Sequence, residues 1–261
     1  EAVHSYKGAV IGTVAMLRHA VRAEQTGVDM LVITGYEAAA HAGNVGALVL
    51  MPSVTSAVKI PCVGAGGYCD GKSLVAALAL GAEGIAMGTR LAATQEAEIN
   101  DTVRQAWLKA TEEDTVIDPR FDGINCRVLR NKAAEDALKK RFPVTDSISA
   151  AIFMKRELKL SWPDLFRTAN ELRRQPAGVG IGNRSRGLSD LMRFACSTRL
   201  FTKATVEGDL ENGLLMMGQG AGRITDIPTV AELLSRTVRE AEEITDMLQG
   251  KVKSDNAKAV R

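Results

Sequence analysis

The sequence predicts an α/β fold of parallel strand–helix units, the C-terminal half of a (β/α)8 barrel followed by a mostly helical region. Three observations carry that reading. Over residues 7–90, short apolar runs, glycine-bearing loops and segments of helical spacing alternate, the pattern of βαβ units in a parallel sheet. About four strands can be counted, whereas the tilt and stagger of a closed parallel barrel require about eight. Beyond Thr94 the strand signals largely stop and helical spacing takes over. The chain opens on Glu1 and runs almost at once into a strand-like segment, so the first barrel half is expected upstream.

The first unit pairs a strand over residues 9–14 with a helix over 16–25, where Leu17, Ala20, Val21 and Glu24 keep three-four spacing and Gly27 supplies the stop. A second strand, residues 30–34, leaves through the long polar loop GYEAAAHAGN into the helix-like VLMPSVTSAV. The third, residues 61–65, exits through GGYCDG into a helix over 72–80, and the fourth, residues 85–87, exits through GTR. Thr94 is expected to cap a helix that presents Ile99, Val103, Ala106 and Trp107 on one face. Further helices are expected over 132–140, 146–158, 162–173 and 188–202, and a last one from Thr229, where Thr229 and Glu232 form a T-x-x-E capping box. The expected division is a half-barrel over residues 1–110, a mostly helical subdomain with the C-terminal helix over 111–250, and a flexible tail over 251–261.

The 33 basic and 31 acidic residues are scattered and leave a net charge of +2, which provides no electrostatic footprint for nucleic acid. Cys62, Cys69, Cys126 and Cys196 stand singly, without a C-x-x-C pair or the Cys/His spacing of a zinc site, so no metal and reduced, cytoplasmic thiols are expected. Apolar runs are broken well short of the roughly 20 residues of a membrane span. The expected partner is a small molecule, with self-association into a homo-oligomer left open.

In parallel barrels, chemistry sits at the C-terminal ends of the strands, and phosphate commonly binds at the loops after the last two. Here those loops are GAGGYCDG and MGTR. Gly66 and Gly67 would let backbone N–H groups approach an anion without an intervening Cβ, the helix near Lys72 would add its positive N-terminal end, and Gly88 and Thr89 would form the opposing wall. The simpler reading is a pair of tight turns. His41 is the histidine on a strand-end loop; an imidazole there either transfers a proton near neutral pH or is an ordinary loop residue. Glu37 either orients that loop or is a solvated carboxylate. Cys69 is read as a bystander, Met216 and Met217 as core, and GVGIGNRSRG (178–187) as a loop between helices.

Taken together, GVDMLVITGYEAAAHAGN, IPCVGAGGYCDGKSLVAALALGAEGIAMGTRLAATQEA and GDLENGLLMMGQGAGRITDIPT resemble the nitronate monooxygenases, a family of FMN-dependent TIM-barrel enzymes with related NAD(P)H-dependent flavin reductases. The resemblance implies non-covalent FMN, its phosphate at Gly66, Gly67, Gly88 and Thr89 with Ala65 just before them. It makes His41 the catalytic base or proton donor and places Gln219 close to the site. It implies oxidation of a nitronate with O2 to a carbonyl compound and nitrite. An NAD(P)H-dependent FMN reductase and a non-catalytic phosphate-ligand binder are the competing readings. One departure stands out: Ala40 occupies the place before the histidine where the family usually has glycine. If that position needs a positive φ, alanine costs on the order of 1 kcal/mol.

Overall fold

A computed structural model describes residues 2–139 and 188–259, with scattered positions between 152 and 171. Most of the helices expected over 146–158 and 162–173, and the loop over 178–187, lie outside the described residues. The first half of the chain follows the expected alternation. Strand β1 (Ile11–Val14) leads to helix α1 (Leu17–Gln25), and β2 (Met30–Thr34) leads through a short β3 (Ala40–His41) to α2 (Ala47–Thr55). Then β4 (Cys62–Ala65) feeds α3 (Gly71–Ala79), and β5 (Gly84–Ala86) feeds a single turn, α4 (Thr89–Ala92). The strands β1, β2, β4 and β5 form one parallel sheet in that order, with Leu31 opposite Cys62 and Val63 opposite Gly84. Because β2 has a neighbour on each side and helices against it, it reads as an unbroken apolar run, MLVIT, rather than an alternation. Leu31 and Ile33 are fully buried and pack with Val14, Leu50, Met51 and Val54 beneath the helices. Among the described residues β1 and β5 are each paired on one side only, so the four strands form an open arc rather than a closed barrel.

The second half departs from the helical expectation. After α5 (Asp101–Lys109), two strands, β6 (Thr115–Asp118) and β7 (Cys126–Leu129), form a hairpin. With β3 they make an antiparallel sheet in the order β3-β7-β6. Each of these strands is four residues or fewer, too short for a period of two to stand out, and β7 carries the buried Arg127 where an apolar residue would be expected. Thr94 does not cap α5: its hydroxyl donates to the Leu91 carbonyl at the end of α4, and Asn100 is the cap, its Oδ1 accepting from Thr102 N–H.

Helices α6 (Lys132–Lys139), α7 (Leu188–Thr205) and α8 (Val230–Ala259) complete the described chain. The capping box at the start of α8 forms in both directions, Thr229 N–H to Glu232 Oε2 at 2.8 Å and Glu232 N–H to Thr229 Oγ1 at 3.2 Å. A second core joins α5 to the segment before α8 through Val103, Trp107, Leu215 and Met217; Met217 is fully buried there as expected, whereas Met216, also expected in the core, is exposed. Among the described residues no helix is long and apolar enough to cross a membrane.

Candidate active site

A cleft of about 500 Å³ opens where β2, β4 and β5 end, at Thr34, Ala65 and Ala86. It occupies the end of the parallel sheet at which barrel enzymes place their chemistry. His41, Ala65, Gly66, Gly67, Gly88 and Thr89 all line it, drawn from loops up to 48 positions apart in the chain. Gln219 does not, but its neighbours Gly218 and Gly220 do. The segment GQGAG is pressed against the two loops beneath it: Gln219 N–H donates to the Glu37 carbonyl at 3.0 Å and Gly218 N–H to Thr89 Oγ1 at 3.3 Å. A Cβ at Gly218 would lie 3.0 Å from Ala39 N, so only glycine lets the segment close over the His41 loop without displacing it.

Gly66 and Gly67 have φ of +94° and +81°, a conformation that a side chain would strain, and a Cβ on Gly66 would meet the backbone of Ala38 at 2.9 Å. The loop after β4 therefore owes its glycines to backbone geometry, and that geometry leaves bare backbone facing the cleft. The start of the next helix offers an anion less than expected. Two N–H groups at the N-terminus of α3 are taken by carboxylates of this chain: Asp70 Oδ1 accepts from Ser73 N–H at 2.9 Å and Glu240 Oε2 from Gly71 N–H at 2.8 Å. Arg223 binds the other oxygen of Asp70 at 2.6 Å. The Gly66–Gly67 and Gly88–Thr89 loops line the cleft, and residues 71–73 at that helix end do not.

The His41 loop is held by residues distant in sequence. Glu37 does not touch the ring; both its oxygens accept from Ala47 N–H at 3.1 Å, capping α2. Ala40 has φ +54°, the left-handed conformation that glycine would take without strain. His41 Nε2 is 2.5 Å from Asp122 Oδ2, in a pair where Asp122 is 2% exposed and His41 37%. Asp122 lies 81 positions downstream, in the turn joining β6 and β7. The same hairpin grips the loop at two further points. Asn125 Nδ2 donates to Asn44 Oδ1 at 2.9 Å, and the buried Arg127 stacks 4.5 Å from the Tyr36 ring centre while its Nη2 donates to the Tyr36 carbonyl. The sequence reading missed Asp122, Asn125 and Arg127. Asp122 sits in FDGIN, where Asp-Gly is a turn signal that accounts for the residue without any function.

The Cys69 thiol lines the cleft and the Cys126 thiol lies opposite His41 in the β3–β7 pairing. Burial, with help from the charge of Asp70, pushes Cys69 up to about 11, which fits a bystander rather than a nucleophile. Burial, and then Asp122, pushes the Cys126 thiol still higher.

The sequence profile of the nitronate monooxygenase family matches residues 1–240. The chain is 33% identical over 243 residues to the (3aS,4S,5R,7aS)-5-hydroxy-7a-methyl-1-oxo-octahydro-1H-indene-4-carboxyl-CoA dehydrogenase of Rhodococcus jostii (strain RHA1), covering 92% of this chain and 66% of that protein. A probable nitronate monooxygenase of Staphylococcus haemolyticus is 35% identical over 149 residues, 52% of this chain and 42% of that one. Among solved structures, FabK from Thermotoga maritima superimposes with a TM-score of 0.71 at 28% identity, covering 96% of this chain and 66% of the other. The fold is thus one of parallel βα units shared with these relatives. The chain belongs to the nitronate monooxygenase family. It spans at most 66% of the length of these relatives.

Proposed function

We propose that this chain carries the cofactor cleft and the proton-transferring residue of an FMN-dependent oxidoreductase. The observation that carries the proposal is the meeting, in one cleft, of the Gly66–Gly67 turn, the Gly88–Thr89 turn and an imidazole anchored from behind by a buried carboxylate. The residues present fit FMN. A Cβ at Gly88 would meet nothing within 4 Å, so bare backbone borders open space on that side, and Ala38, Ala39, Ala65 and Ala86 line the cleft with small apolar side chains. Gly66, Gly67, Gly88 and Thr89 would hold the phosphate; FMN would supply the acceptor for the electron pair leaving the substrate. His41 would take the substrate proton, and the segment 218–220 would help exclude water from above.

Two substrate classes follow. The family resemblance supports nitronates, with O2 as second substrate. The second class, a hydroxyacyl-CoA thioester, is supported by the Rhodococcus dehydrogenase, which matches far more of the chain than the Staphylococcus protein does. The base separates protonated from deprotonated substrates: a nitronate arrives already deprotonated, whereas a neutral nitroalkane or a neutral CoA thioester needs a base of the kind His41 offers.

The test is anaerobic mixing of the FMN-loaded full-length protein with propionate 3-nitronate, a neutral nitroalkane, a hydroxyacyl-CoA and NADH, each separately, while following flavin absorbance. Proton transfer by a positioned side chain typically contributes about 10²–10⁴-fold. His41→Ala should therefore slow bleaching by about that factor with the neutral substrates and much less with the nitronate. Parent and variant reacting equally with every substrate would remove His41 from the mechanism. Reduction by NADH alone would identify a flavin reductase.

A further inference from the structure

The nitrogen of His41 that touches Asp122 decides which nitrogen remains for the substrate. We propose that Asp122 is a positioning residue that fixes the His41 ring with Nε2–H donated to its carboxylate and Nδ1 presented to the cleft, so that the proton moves at Nδ1. This rests on the reading of His41 as the proton-transferring group. An ionised carboxylate only accepts hydrogen bonds, so the proton in the 2.5 Å contact belongs to Nε2 and the neutral ring keeps its lone pair on Nδ1. The other donor at Asp122 agrees: Ile124 N–H reaches Oδ1 at 3.1 Å. When Nδ1 takes a proton the ring becomes cationic, and a buried carboxylate already in contact stabilises that charge with no rearrangement.

The backbone fixes the geometry. In the β3–β7 pairing His41 stands opposite Cys126 and Ala40 opposite Arg127, so the strand that follows the Asp122 turn is hydrogen-bonded to the strand that carries the ring. A metal ion is a poorer account of the cluster. His41, Asp122 and Cys126 do offer ligand atoms within 4.8 Å of one another. Two ligand atoms each about 2 Å from an ion, at tetrahedral angles, lie well beyond the 2.5 Å that separates ring and carboxylate.

The test uses the FMN-loaded full-length protein with ring-¹⁵N histidine, the His41 signals being assigned from their loss in His41→Ala. The parent should show the neutral ring of His41 as the Nε2–H form. Asp122→Asn, whose amide can turn an N–H toward Nε2, should shift the ring toward the Nδ1–H form. Its kcat should fall about 10²-fold or more with KM little changed, the range expected when a proton-transfer residue is misoriented. Asp122→Glu should restore the Nε2–H form and part of kcat. A parent ring in the Nδ1–H form would overturn the proposal, as would an Asp122→Asn protein with parental tautomer and kcat. Since the parent spectrum decides the tautomer by itself, a variant that fails to fold leaves the proposal open to refutation. Full turnover by His41→Ala would instead sink the proton-transfer reading and leave the tautomer result standing.

Discussion

Ala40 is the clearest strained residue near the site. At φ +54° its Cβ crowds the backbone, and glycine there would relieve about 1 kcal/mol, offset in part by the greater freedom glycine gives the unfolded chain. Ala40→Gly should therefore raise the urea midpoint slightly, by about 0.5 kcal/mol of stability; a lower midpoint would mean the loop depends on the alanine methyl group. Gly66→Ala should act in the opposite sense. It adds a Cβ 2.9 Å from Ala38 N at a φ of +94°, so, with the cleft as the proposed FMN site, retention of FMN through gel filtration should be lost while the far-ultraviolet circular dichroism stays near parental. Cys69, with its thiol pushed up to about 11 by burial and Asp70, should resist iodoacetamide at pH 8 in the folded protein and react once denatured, as read by peptide mass spectrometry. Rapid labelling of the native protein would show the loop to be open.

At the scale of elements, the connections between helices and loops are made by charged groups placed far apart in the chain. Arg90, 4% exposed, lies in the short α4 and donates to the Asp226 carbonyl at 3.0 Å and to its carboxylate at 2.7 Å, while Arg236 on α8 binds the same carboxylate. Asp226→Asn leaves the backbone contact but removes the charge opposite a buried guanidinium. It should cost about 1–3 kcal/mol, toward the low end because Asp226 itself is partly solvated. A denaturation midpoint equal to the parent's would show that the carbonyl contact suffices. The parallel units were legible in the sequence because each is a local pattern: MLVIT, its outgoing loop and the following helix declare themselves within about 25 residues. The β6–β7 hairpin was not, since four-residue strands carry too few side chains to show a period, and the pairing that gives Asp122 its role joins it to a two-residue strand 81 positions earlier in the chain.

For the whole molecule, the carboxylates that tie distant segments together set the acid limit. Hydrogen bonding to Arg236, against some burial, holds Asp226 below the ordinary carboxylate range. Burial acts to raise Asp70, but the Ser73 N–H and Arg223 outweigh it and hold it low as well. Groups with depressed folded values contribute stability that is complete above the unfolded value near pH 4 and is lost as pH falls through the folded one. The urea midpoint should thus be flat in these terms from pH 7 to about pH 5 and decline below about pH 4. A decline that starts near pH 6 would point to a histidine instead. What the sequence alone determined is the run of parallel βα units and the glycine turns at their tips, because strand, turn and helix preferences are properties of neighbouring residues. What only the tertiary structure decided is the setting of His41: Asp122 behind its ring, Glu240 on the first N–H of α3, and the GQGAG segment folded over the loop. Those contacts join residues tens to more than a hundred positions apart, and no local pattern encodes which distant partner the folded chain brings within hydrogen-bonding reach.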